Sequence, residues 1–138
     1  MSYRPVICFT VLLLFAGCLV QPAEAVIQFQ KEFVKLYVGD DKESDWAIQV
    51  KEAKCWVCHQ GKSRKQHNPY GVHFLPLLDR KKDAKNPEKI IEALEKVAAM
   101  HSVEGDDTSP TYGELIKAGK LPGGPLEECK KEPETSEL

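Results

Sequence analysis

The chain has 138 residues, enough for one domain, and 29% of them are charged. Its 19 Lys and Arg against 21 Asp and Glu leave a net charge of −2, so no global basic excess argues for nucleic acid. With the N-terminal segment set aside, the cysteines are Cys55, Cys58 and Cys129, an odd set that excludes a simple disulfide framework.

Residues 1–25 read as an export signal. Arg4 gives a small positive region, Val6 to Val20 is almost uninterruptedly apolar, and Ala23-Glu24-Ala25 carries the small residues of a cleavage site. The mature chain is then expected to begin at Val26 in an exported, periplasmic protein. The apolar run is short for a membrane span. Phe15-Ala16-Gly17-Cys18 resembles a lipobox, so the alternative is a lipoprotein, with membrane contact only through lipid at Cys18.

Phe29, Phe33, Leu36 and Tyr37 share one helical face and predict a first helix over 26–38, stopped by Gly39. Ser44 reads as the cap of a second helix, whose stripe of Trp46, Val50, Ala53 and Val57 faces the core. Gln60 to Pro76, with Gly61, Asn68-Pro69 and Gly71, reads as an irregular loop. Asn86-Pro87 opens a third helix carrying Ile90, Ile91, Leu94, Val97 and Ala98 and ending near Met100-His101. A short fourth helix follows Pro110, with Tyr112, Leu115 and Ile116, and closes at Gly119. The charged stretch 126–138 is expected to be a flexible acidic tail, with Cys129 exposed in it. No segment shows sustained alternation, so the expected class is all-α, with the folded domain over 26–125.

The chemistry is concentrated in Lys54-Cys55-Trp56-Val57-Cys58-His59-Gln60, which contains Cys-x-x-Cys-His, the signature of c-type haem attachment. On a continuous helix positions 55, 58 and 59 lie on one side. Two thiols there can form thioethers to one porphyrin while the adjacent imidazole of His59 ligates its iron. Ile48 and Glu52 precede Cys55 on that side, separate from the core stripe. The expected cofactor is one covalent haem c.

A thioredoxin-like dithiol lacks the strand-helix context such a pair normally has, and a zinc site would need four ligands where the candidates are scattered. A zinc or dithiol module nevertheless stays open as an alternative.

Around these residues the chain resembles the monohaem class I cytochrome c family, over about residues 29 to 119. The resemblance implies a small helical domain closed around one covalently bound haem. It implies that a Pro some ten residues after the proximal His lends a carbonyl to its Nδ1. Asn68-Pro69 stands there, where it also reads as a plain turn. It implies a distal Met, for which Met100 is the first candidate, with His101, His73 and His67 as replacements and core packing as the bland reading. Met100 lacks the Pro that usually follows the family's ligand, and the helix after Pro110 is short.

The expected function is electron transfer between redox partners, since no separate catalytic constellation is visible. An open distal site would instead make the protein a haem-based ligand sensor or small catalytic cytochrome. Seven basic residues between Lys62 and Lys85 (Lys62, Arg64, Lys65, Arg80, Lys81, Lys82, Lys85) face only Asp79 and Asp83 in sequence. They form a candidate docking region for an acidic partner, or an ordinary solvated surface.

Overall fold

The computed structural model describes residues 24–133, so the predicted leader and Cys18 lie outside the described residues. Helix α1 spans Glu24–Tyr37 and ends where Gly39, at φ 66°, donates back to the Val34 carbonyl. Helix α2 spans Asp45–Ala53 and is capped as its sequence predicts, the Ser44 hydroxyl accepting from the Ala47 N–H at 3.2 Å. Helix α3, Pro87–Ala98, starts on the Asn86 side chain with proline in its first turn and buries Ile90, Ala93, Leu94 and Val97. Helix α4, Tyr112–Lys117, opens on a reciprocal capping box between Thr111 and Glu114.

One hydrophobic cluster joins these elements: Phe33 from α1, Val50 and Ala53 from α2, Ile90, Leu94 and Val97 from α3, and Tyr112 and Ile116 from α4. Tyr70 lies at its centre, fully buried, with its ring 6.3 Å from that of Phe33 and 5.1 Å from that of Tyr112. The Tyr37 hydroxyl donates to the Leu94 carbonyl at 3.1 Å, tying α1 to α3.

The all-α expectation is corrected. The described residues hold five α-helices and a two-stranded antiparallel sheet, and 48% helix is a mixed content. Strands β1, His59–Gln60, and β2, Gln66–His67, pair with His59 opposite His67 and Gln60 opposite Gln66. The supposed irregular loop after Gln60 therefore contains a hairpin, and then a 3-10 helix over Gly71–Phe74. Two-residue strands are too short to show alternation, so periodicity had nothing to detect.

A second difference concerns the continuity of α2. Lys54 takes φ 49° and ψ −118°, ending the α-helix, and Lys54–Val57 follow as a 3-10 turn. Cys55, Cys58 and His59 are thus carried by a tight turn running into β1, not by one helix. The core stripe still holds in part: Val50, Ala53 and Val57 are buried, while Trp46 is half-buried.

The third difference lies at the C-terminal end. Leu126–Lys130 form helix α5, and Cys129 is buried at 2% exposure where an exposed thiol in a mobile tail is expected. Five residues carry too weak a period to stand out in a charged stretch. Among the described residues no helix is long and apolar enough to cross a membrane.

Candidate functional site

The 3-10 turn Lys54–Val57 leaves carbonyls that the helix before it cannot satisfy, and a single buried side chain collects them. Asn68, 1% exposed, donates through Nδ2 to the carbonyls of Trp56 at 3.0 Å and Val57 at 3.1 Å. Its Oδ1 accepts from the Gly71 N–H at 2.9 Å, and its own N–H donates to the Cys58 carbonyl at 3.1 Å. Gly71 abuts that carbonyl so closely that a Cβ there would collide with Cys58, and a Cβ at Gly123 would collide with the Asn68 side chain. Two glycines and one asparagine hold the Cys-x-x-Cys-His segment in shape.

From the other side, the C-terminal end fastens the same segment. The Gly61 N–H donates to the Cys129 carbonyl at 2.9 Å, and the Lys62 N–H to a Glu132 carboxylate oxygen at 2.9 Å. The Cys129 sulfur lies 3.4 Å from the Gly123 carbonyl and 3.8 Å from Asn68 Nδ2.

Cys55 and Cys58 are free thiols, both half-buried. The Cys58 thiol is pushed up to about 12, first by burial and then by the neighbouring Cys55 and Cys129 thiols, so it stays protonated at neutral pH. The Arg64 guanidinium lies 3.9 Å from the Cys55 sulfur and 5.9 Å from the Trp56 ring centre, and Lys130 stands 5.9 Å from the same ring. Arg64 sits at φ 54° in the hairpin turn, a conformation that costs a non-glycine residue free energy.

His59 is half-buried, and its Nδ1 lies 3.2 Å from the Gln66 carbonyl. A carbonyl only accepts, so Nδ1 carries the proton and Nε2 keeps its lone pair. Burial is the main cause holding His59 below the ordinary histidine value. The Gln66 carbonyl opposes it, and the Arg64 and Arg80 charges add to it. A neutral imidazole with a free Nε2 is the form that ligates a metal. The carbonyl partner is that of Gln66, not Pro69, whose carbonyl accepts from the Tyr112 hydroxyl at 3.0 Å.

The surroundings also suit a large apolar group with anionic substituents. Val72, in the 3-10 helix, and Leu75, just past its end, are 42% and 61% exposed. Arg64 and Arg80, from opposite ends of the basic stretch, both bear on His59. Two thiols, an oriented neutral imidazole, uncovered apolar side chains and cations form a donor set that fits a covalently held haem. Among the described residues, no three His, Cys, Asp or Glu side chains converge to hold a metal ion by themselves.

The candidate distal residues are spread out. Met100 lies at the end of α3, half-buried against the hydrophobic core, with its N–H on the Val97 carbonyl and its carbonyl accepting from Tyr112. His73 Nε2 is engaged with the Tyr112 hydroxyl at 3.2 Å, and His101 Nδ1 with the Ser109 carbonyl at 2.6 Å. His67 is the one that the fold brings to His59, ring against ring with centroids 4.6 Å apart. It lies alongside that imidazole, which is not where a ligand on the opposite face of a haem would stand.

Asn68 and Gln66 escaped the sequence reading as parts that hold His59 and the motif, whereas Arg80 was already named in the basic stretch. Asn68-Pro69 signals a turn, but nothing local says that the asparagine reaches back to cap another segment, and Gln66 acts only through its backbone. Compared with protein-family models, curated proteins and solved structures, the chain matches none.

Proposed function

We propose that this chain is an exported c-type haem protein that transfers electrons, with haem c held covalently by Cys55 and Cys58 and its iron ligated by His59. The observation that carries the reading is the hydrogen bond from His59 Nδ1 to the Gln66 carbonyl beside two free thiols. It fixes the tautomer and leaves Nε2 with its lone pair on the residue that directly follows Cys58. When bound, the haem supplies a one-electron couple set by its axial ligands and surroundings. The chain's own part is to hold the proton on His59 Nδ1. Arg64 and Arg80 keep positive charge beside the group. The same cations, with Lys62, Lys65, Lys81, Lys82 and Lys85, make the face on which an acidic redox partner would dock.

Met100 is our candidate for the distal position, because it is the one thioether in the chain after the predicted leader. A ligand-sensing or small catalytic reading is favoured by a different observation: His67 is packed against His59, and His73 Nε2 is held by the Tyr112 hydroxyl. Met100 and His101, whose Nε2 keeps its lone pair because Nδ1 is on the Ser109 carbonyl, then stand between a six-coordinate carrier and an open site.

The test is to express the chain in a bacterium competent for c-type maturation and run a haem stain on a denaturing gel. Oxidised, reduced and CO-treated absorption spectra follow. Covalent haem that barely responds to CO, with CO binding appearing in Met100→Ala, is the expected result. Rapid CO binding by the wild type would move the reading to a ligand-binding haem protein. Absence of covalent haem would end it.

A further inference from the structure

The β1–β2 hairpin does more than return the chain. Directly opposite residues of an antiparallel pair project their side chains to the same face, and here the opposed pair is His59 and His67. Their rings lie 4.6 Å apart at an interplanar angle of 33°, close enough to stack. The residue before His67 supplies the carbonyl that holds His59 Nδ1. One dipeptide, Gln66-His67, therefore restrains the same imidazole twice: the Gln66 carbonyl fixes its edge and the His67 ring blocks rotation of its face.

The hairpin is stiff enough to transmit this restraint. Its first strand is joined to α5 through the Gly61 N–H, its turn to Glu132 through the Lys62 N–H, and its exit to Cys58 through the Asn68 N–H. A two-residue strand pair left alone would be marginal. Tied at three points, it holds His67 in register with His59.

We infer that His67 is a positioning residue for His59: its stacked ring sets the plane in which the proximal imidazole meets the haem iron. The inference rests on the haem reading above. Groups that orient a ligating histidine without touching the metal tune what the metal does. In an oxidised low-spin haem the imidazole plane directs the unpaired spin toward particular pyrroles, so it decides which porphyrin methyl protons shift most.

The test uses the haem-loaded protein and its proton NMR spectrum in the oxidised state. His67→Phe keeps a flat ring against His59 and is expected to retain the wild-type order of the four shifted methyl resonances. His67→Ala removes the ring and is expected to reorder or broaden them. His67→Leu, which keeps bulk without a flat face, is expected to do the same, so the comparison stands even where the alanine variant fails to load haem. A wild-type methyl order in the alanine or leucine variant, or an equal displacement in all three, would overturn the role. Absence of covalent haem in the wild type would remove the parent reading and this one together, and the denaturing gel tells the two failures apart.

Discussion

Asn68 is the residue on which the site most depends, because its buried side-chain amide joins the 3-10 turn to the segment after the hairpin. Replacing it with alanine leaves the Gly71 N–H and at least one carbonyl of the 3-10 turn buried without partners. At about 1–3 kcal/mol for each orphaned group, Asn68→Ala should lose about 3 kcal/mol of stability. Urea denaturation of wild type and variant side by side measures this, and an unchanged midpoint would show that water replaces the amide. The cysteines beside it tell the opposite story about legibility. The Cys55, Cys58 and His59 motif stands out from spacing alone, since it is local in the chain, and the haem it would hold is what we propose. Asn68 does not, because its partners at Trp56 and Val57 are defined only once a hairpin has folded back. Cys129 was misread for the same reason: a charged neighbourhood conceals a thiol that α5 turns inward.

At the scale of elements, the helices that rest on capping chemistry and period were legible with their starts. Ser44 and Asn86 cap the helices expected to follow them, whereas the Thr111–Glu114 capping box of α4 was not read from the sequence. The segment between α2 and α3 was not legible, because its order comes from single polar contacts instead of a repeating pattern. Its second half is pinned to α3 by Asp83, a buried residue whose carboxylate accepts from the Asp79 N–H at 2.7 Å and from Lys89 Nζ at 2.7 Å. The hydrogen bond from Lys89 is the main cause holding Asp83 below the usual carboxylate range, with the Asp79 N–H second. A group whose folded value is depressed adds stability above its unfolded value and loses it as pH falls through the folded one. Asp83→Asn should therefore unfold more readily than wild type at neutral pH. The gap should close as pH drops below the ordinary aspartate range. Thermal midpoints along an acid titration check this, and a gap independent of pH would mean that the carboxylate's charge is irrelevant there.

For the whole molecule, residues 126–132 belong to the body of the fold. Cys129, 2% exposed, sits where a free tail would leave a gap beside the Cys-x-x-Cys-His turn. Removing residues 125–138 should speed amide exchange at Gly61 and Lys62, whose acceptors are the Cys129 carbonyl and the Glu132 carboxylate. The amides inside α3, whose bonds are within the helix, should keep most of their protection. Exchange that rises equally everywhere would show that the truncation unfolds the chain as a whole.

That fastening also sets an order of events in time. A polypeptide is made N-terminus first, so Cys55-x-x-Cys58-His59 emerges well before its clasp, and Lys62 waits for a partner 70 residues behind it. Until that partner arrives the two thiols and the imidazole are presented on an unfinished chain, open to whatever chemistry modifies them. Helix α5, which emerges later, then closes against a segment that has already been exposed.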